Sequence, residues 1–178
     1  MEYATLGNTG LLVSKLCFGT MTFGDGRGLF KAISTVGQAG ADELVKTSID
    51  RGINFFDTAD NYTEGESEKI LGQSLKSLNI ARKDVVLATK VYSRVGPGPN
   101  DIGASRGHIM DGVEASLRRL QTDHIDLYQA RNASTSFRTI SRRSNSHSPR
   151  TSLGSWMRSA LLPLSIQGGR CRSREPTV

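Results

Sequence analysis

Four short apolar runs, each separated from the next by a segment of helical period, constrain this 178-residue chain more than any other feature. The runs are Lys15-Leu16-Cys17-Phe18-Gly19, Ile53-Asn54-Phe55-Phe56-Asp57, Val85-Val86-Leu87-Ala88-Thr89 and Ile125-Asp126-Leu127-Tyr128. Between them, Leu44, Val45, Ser48 and Ile49 mark one helix face. Ile70, Leu71, Leu75 and Leu78 mark a second, and Ile109, Val113, Leu117 and Leu120 a third, each on the 3.6-residue period. Strands set a helix apart read as repeated βα units, which force a parallel sheet with right-handed crossovers. Four such units are half of an eight-stranded barrel or most of a small doubly wound sheet, and periodicity alone leaves both open.

Local signals punctuate this pattern. Gly52 fits a helix C-terminal stop leading directly into the second strand. Thr63 and Glu66 have the spacing of a capping box opening the second helix. Tyr3-Ala4-Thr5-Leu6, Asn8-Thr9-Gly10 and Leu11-Leu12-Val13 read as an N-terminal hairpin able to cap the bottom of a barrel. Gly24 to Gly40, with glycines at 24, 26, 28, 37 and 40, reads as a long loop; its GDGRG run lacks the spacing of a dinucleotide fingerprint.

The polar residues at the strand ends carry the chemistry. Asp57 ends the second strand, Lys90 ends the third, and Tyr62 lies in the loop after Asp57. In parallel βα architecture these positions share the C-terminal rim, where active sites gather. Neighbouring strands lie about 4.8 Å apart, within reach of an Asp57–Lys90 contact. Such a trio suits proton donation: Tyr62 gives the proton, Lys90 supports the developing phenolate, and Asp57 holds Lys90. Against this stands the plainer reading of a solvated lysine, a packed tyrosine and an aspartate capping its own turn.

Gly52-Ile53-Asn54-Phe55-Phe56-Asp57-Thr58-Ala59-Asp60-Asn61-Tyr62, with Gly65-Glu66-Ser67-Glu68 and Leu71-Gly72 beyond it, resembles the signature of the aldo-keto reductase family. So do LCFGTMTFG at Leu16–Gly24, Ala88-Thr89-Lys90-Val91, and Val113 to Leu120 leading into Asp126-Leu127-Tyr128-Gln129. The resemblance covers residues 1–129. It implies a (β/α)8 TIM barrel, here only its first four βα units, and NADPH-dependent reduction of a small aldehyde or ketone. It also implies catalytic roles for Asp57, Tyr62 and Lys90, and places Gly19, Thr20, Met21 and Asp57 on the nicotinamide side. The family's fourth residue, a histidine just past the fourth strand, falls at Arg131. His108, His124 and His147 do not align with it and read as surface histidines. A non-catalytic relative, such as a channel-associated subunit, is the alternative on the same barrel.

From residue 130 the composition changes. Residues 130–178 hold nine Arg, no Lys, no Asp, eleven Ser and one acid, Glu175. Residues 1–129 carry a net charge of −2, so the tail supplies +8 and accounts for the overall +6. With few large apolar residues, this tail is expected to lack order, Leu161-Leu162-Pro163-Leu164 being its one apolar stretch. Its abrupt start in mid-motif reads as translation out of frame; an RNA- or polyanion-binding extension is the competing reading. In a full family member the later βα units carry most cofactor contacts, so the expectation is a truncated, poorly folding and inactive member. Two cysteines, Cys17 and Cys171, make no disulfide framework and have no metal-ligand spacing; Cys17, in an apolar run, is expected in the core. No signal segment and no run near the roughly 18 apolar residues of a membrane span is present, and the expected setting is cytoplasmic.

Overall fold

A computed structural model of the chain describes residues 1–26, 30–132 and 135–140, with side chains described through residue 130. The tail beyond 140, including His147, the Leu161–Leu164 stretch and Cys171, lies outside the described residues, as do Gly28 and the Arg131 side chain. Strands β1 (Tyr3–Thr5) and β2 (Leu12–Ser14) form an antiparallel hairpin. The main sheet runs in the order β3 (Phe18–Gly19), β4 (Phe55–Asp57), β5 (Val86–Val91), β6 (Leu127–Asn132) and β7 (Thr135–Ile140). The first four are parallel, and helices α1 (Gln38–Asp50), α2 (Glu66–Ser77) and α3 (Arg106–Leu120) fill the crossovers. Strand order equal to chain order, with a helix after each of β3, β4 and β5, is the winding of a barrel rather than of a doubly wound sheet, whose order reverses at a switch point.

The core lies between this sheet and the helices. Phe56, Leu87, Val91 and Tyr128 from the strands meet Val45, Leu71, Leu75 and Leu120 from the helices, with Phe23 filling the space beside β3. Each such buried side chain contributes roughly 1.5–3 kcal/mol. The hairpin is fastened below the sheet by Asn54, which accepts from the Ser14 N–H at 2.7 Å and donates to the Leu12 carbonyl at 3.0 Å. Gly52, at φ +82, ends α1 as expected: the Ile53 N–H reaches back to the Ser48 carbonyl at 2.9 Å, satisfying a terminal acceptor of the helix.

Several expectations change. The first strand is shorter than Lys15–Gly19, and Cys17 is exposed rather than in the core, as is Leu16 at 60%. Phe18 packs on Phe23 and Phe56, with ring centroids 5.8 and 5.7 Å apart, so strand alternation turns Cys17 and Gly19 to the face that no helix covers. The loop after Gly24 ends at Gly37; Gly40 is already inside α1, and Phe23 bridges Val36 across the loop's base. His108 is buried at 6%, not on the surface, because it shares an i, i+4 stripe with Gly112, Ser116 and Leu120, whose small members hide the stripe from a hydrophobicity pattern. His124 is partly buried, beside Asp123 and Asp126. Beyond residue 130 the backbone continues in β6 to Asn132, then returns as β7, antiparallel to β6, in the part of the sequence expected to lack order.

α2 and α3 touch at Gly72, where an added Cβ would sit 2.6 Å from the Leu120 carbonyl oxygen and 2.8 Å from that of Arg119. Both neighbours are backbone and cannot turn aside. Gly72→Ala is therefore expected to destabilise the fold by about 2 kcal/mol, despite alanine's better helix propensity. Urea denaturation checks this; equal or greater stability would show that the two helices can separate freely.

Candidate active site

Parallel pairing sets Asp57 opposite Ala88, and Lys90 follows two residues later on the same face of β5. Past β4 the chain stays zipped to β5, the Thr58 N–H donating to Ala88 at 2.9 Å and the Asp60 N–H to Lys90 at 3.1 Å. Tyr62 is then brought back over the rim by a 3-10 turn, Tyr62–Gly65, with left-handed backbone at Thr63, Glu64 and Gly65. The expected capping box does not form. Gly65 is the N-cap of α2 with no side-chain cap, and the Thr63 hydroxyl donates instead to the Phe23 carbonyl at 3.1 Å. A left-handed turn points Thr63 into the protein, where it is fully buried.

The result joins all three predicted residues. Lys90 Nζ donates to Asp57 Oδ2 at 2.5 Å, to the Thr58 carbonyl at 2.8 Å and to the Tyr62 hydroxyl at 3.2 Å. Its three hydrogens are matched by three acceptors, and its charge lies 4.9 Å from the Tyr62 ring centre. The Asp57 and Lys90 side chains are about a quarter exposed, open enough for a small molecule to reach and closed enough for the charge pair to hold. Phe30 packs edge-on to Tyr62, centroids 5.7 Å apart.

Two residues escaped the sequence reading. Gln129, paired with Lys90 across β5 and β6, donates to Asp57 Oδ1 at 3.1 Å and so holds the carboxylate's second oxygen. The alternation Leu127, Gln129 along β6 was its available signal. Phe30 sits in a glycine-rich loop with no period to reveal it. Of the residues expected on the nicotinamide side, Gly19 and Met21 are exposed on the rim beside Asp57, but Thr20 is fully buried. The Thr20 hydroxyl is turned toward the helices, 2.7 Å from the Ser67 hydroxyl, because strand alternation places it opposite to Gly19.

Behind the rim lies a buried polar layer. Glu68, with no exposure, accepts from Thr89 Oγ1 at 2.5 Å and pairs with Arg119 Nε at 2.6 Å. Asp60, 4% exposed, has one carboxylate oxygen without a partner. Burial, and then the neighbouring Glu68 charge, push its carboxyl up from 3.8 to about 7. The Tyr128 phenol in the same layer is raised by burial and by the Asp60 and Glu68 charges.

A parallel (β/α) sheet wound in chain order, with an aspartate, a lysine and a tyrosine joined at its C-terminal rim, defines the first half of a TIM barrel. The chain belongs to the aldo/keto reductase family, whose description matches residues 15–139, ten residues past the boundary at 129. It is 44% identical over 137 residues to an uncharacterized oxidoreductase, YrpG, of Bacillus subtilis, covering 72% of this chain and 39% of that one. It is 42% identical over 128 residues to a probable voltage-gated potassium channel subunit beta of Arabidopsis thaliana, covering 71% and 36%. Among solved structures it resembles the holo form of the aldo-keto reductase AKR11C1 from Bacillus halodurans, with a TM-score of 0.59 and 38% identity over 72% of this chain and 39% of that chain. The chain thus spans under half the length of these relatives. Among the described residues, no helix is long and apolar enough to cross a membrane.

The raised Asp60 carboxyl gives the fold a pH dependence of defined sign. The native chain keeps a proton that the unfolded chain, with its ordinary value of 3.8, loses first. The resulting stability is complete below that value and is lost as pH rises through about 7. Asp60→Asn removes this loss, so its stability relative to the parent is expected to be on the order of 2 kcal/mol greater at about pH 8 than at about pH 5. Denaturation at the two pH values measures it; a constant difference would mean that Asp60 is ionised in the native chain throughout.

Proposed function

We propose that this site reduces the carbonyl group of a small aldehyde or ketone to an alcohol, with Tyr62 as proton donor and NADPH as cofactor. The observation that carries the reading is the single ammonium of Lys90 bonded at once to Asp57 and to the Tyr62 hydroxyl. Asp57, itself held by Gln129, keeps Lys90 aimed. Lys90 stabilises the negative charge left on the Tyr62 oxygen as its proton moves to the carbonyl oxygen. Phe30 limits where the phenol ring can swing.

The rim fits a nicotinamide ring. An added Cβ at Gly19 would meet nothing within 4 Å, so Gly19, paired with Asp57 across β3 and β4, leaves open space at the rim. The cofactor, when bound, supplies the hydride for the carbonyl carbon. The choice of NADPH over NADH rests on the family resemblance. A cytoplasmic setting belongs to the same reading, and the exposed free thiol of Cys17 fits a reducing compartment.

The 178 residues alone, in this reading, do not turn over. The relatives are more than twice as long as the matched segment, their later units carry the adenosine-end contacts, and Arg131 stands at the place of the family's histidine. The Arg/Ser-rich residues 130–178 are read as an out-of-frame continuation; coding DNA with no histidine-bearing reductase continuation in either alternative frame would refute that. A second reading, a channel-associated subunit with little or no turnover, draws on the named potassium-channel relatives. The intact Asp57, Tyr62 and Lys90 cluster favours the enzyme.

One experiment separates these readings. The 178-residue chain is expected to show no NADPH oxidation with a panel of aldehydes and ketones. A chimera carrying residues 1–129 in place of the matching segment of the Bacillus subtilis relative is expected to be active, and Tyr62→Phe in it to lower kcat by about 10²- to 10⁴-fold. Turnover by the chimera that is indifferent to Tyr62→Phe would remove the tyrosine from the mechanism. A folded chimera that binds NADPH without turnover would favour the channel-subunit reading.

A further inference from the structure

We infer that Ser67 and Glu68, in the first turn of α2, are positioning residues that lock three strand ends and the Tyr62 turn into one register. The rim residues alternate with threonines that point the other way: Thr20 follows Gly19, Thr58 follows Asp57, and Thr89 precedes Lys90. All three threonines are fully buried, and so are Ser67 and Glu68. The Ser67 hydroxyl donates to the Thr20 carbonyl at 2.7 Å and lies 2.7 Å from Thr20 Oγ1 and 3.2 Å from Thr58 Oγ1. Glu68 takes the Thr89 hydroxyl on one oxygen at 2.5 Å and Arg119 on the other at 2.6 Å. Two successive residues of one helix thus reach the ends of β3, β4 and β5, and α3 as well.

The same turn of helix follows directly on Tyr62–Gly65. Whatever holds Ser67 and Glu68 also fixes where the Tyr62 turn ends, relative to the strand that carries Lys90. Simple attachment of α2 does not call for this chemistry. A buried carboxylate is costly to desolvate, and apolar residues of like volume hold helices to sheets as firmly. Glu68 and Ser67 instead supply short directional bonds, whose lengths tolerate little sliding. The geometry so fixed includes the 3.2 Å contact between Lys90 and Tyr62.

The inference rests on the reading of Asp57, Tyr62 and Lys90 as the site, but its test uses no turnover. Trace amine labelling of the intact 178-residue chain, followed by mass spectrometry, reports how firmly each lysine is held. Lys90 is 27% exposed and fully bonded, whereas Lys15 and Lys46 are 59% and 62% exposed and serve as internal references. Thr89→Val keeps the shape and deletes the bond to Glu68; Ser67→Ala deletes the links to Thr20 and Thr58. Each is expected to raise Lys90 labelling about fivefold relative to Lys15 and Lys46, the scale of one lost hydrogen bond. Thr89→Ser, which restores the hydroxyl, is expected to label like the parent. An unchanged ratio in Thr89→Val overturns the inference for Glu68, and in Ser67→Ala for Ser67. A rise in Lys90 labelling accompanied by loss of the far-ultraviolet helix signal, as general unfolding produces, overturns the positioning role in the same way. Inactivity of the chimera would count against the reductase reading and leave the labelling result standing.

Discussion

The parallel register of β4 on β5 is the constraint from which the site follows. With Asp57 opposite Ala88, strand alternation gives Lys90 the same face as Asp57 and one pleat of lead. A register shift of one residue would turn Lys90 toward the helices and Thr89 toward the rim, losing the ion pair and burying an ammonium in the core. Hydrophobic burial prevents that shift, since Phe56 and Leu87 share one row and Leu87 and Val91 one face of β5. The same force that forms the core therefore sets the distance between the charged groups on its other side. Neither the ion pair nor the Tyr62 contact has to supply the energy of its own placement.

The buried layer behind the rim has a charge balance that explains its two anomalies. Two carboxyl groups, Glu68 and Asp60, and one phenol, Tyr128, share a single guanidinium, Arg119. Arg119 is committed to Glu68, and Gly65 gives it room, since a Cβ there would lie 2.8 Å from its side chain. Burial first, and then the Glu68 charge, make an ionised Asp60 costly, so it keeps its proton to higher pH. That proton leaves the layer neutral in sum while Lys90 and Asp57 balance each other across the sheet. One arginine thus bonds only one of the two adjacent carboxyl groups.

How far the sequence revealed this differs by residue and for physical reasons. The βα order and the Asp57, Tyr62 and Lys90 cluster were legible, because strand period and strand-end position determine them locally. His108 was misjudged because glycine and serine complete its buried stripe, and hydrophobicity patterns do not register them. Cys17 was misjudged because an apolar run signals a strand without saying which face another element will cover. The false capping box at Thr63 and Glu66 shows a sharper failure. The spacing was right, but positive φ at Thr63 and Glu64 moved the helix start to Gly65, and such backbone leaves no trace in side-chain type. Gln129 and Thr20 depended on register and alternation together, which need the sheet before they can be read.

In the proposed reduction, the proton-donating group and the cofactor contacts are separable properties of the fold. Asp57, Tyr62, Lys90 and Gln129 come from three adjacent strands and one turn, and every bond that orients them is made within residues 57–129. Their arrangement is stiffened from beneath by Ser67 and Glu68, which also lie inside that segment. A site of this kind is set by the pairing of nearest-neighbour strands. In the proposed reading, binding of a dinucleotide draws on contacts from the later units of the barrel as well. In the proposed reduction, electrostatic preorganisation therefore belongs to the segment, whereas hydride chemistry belongs to a completed barrel.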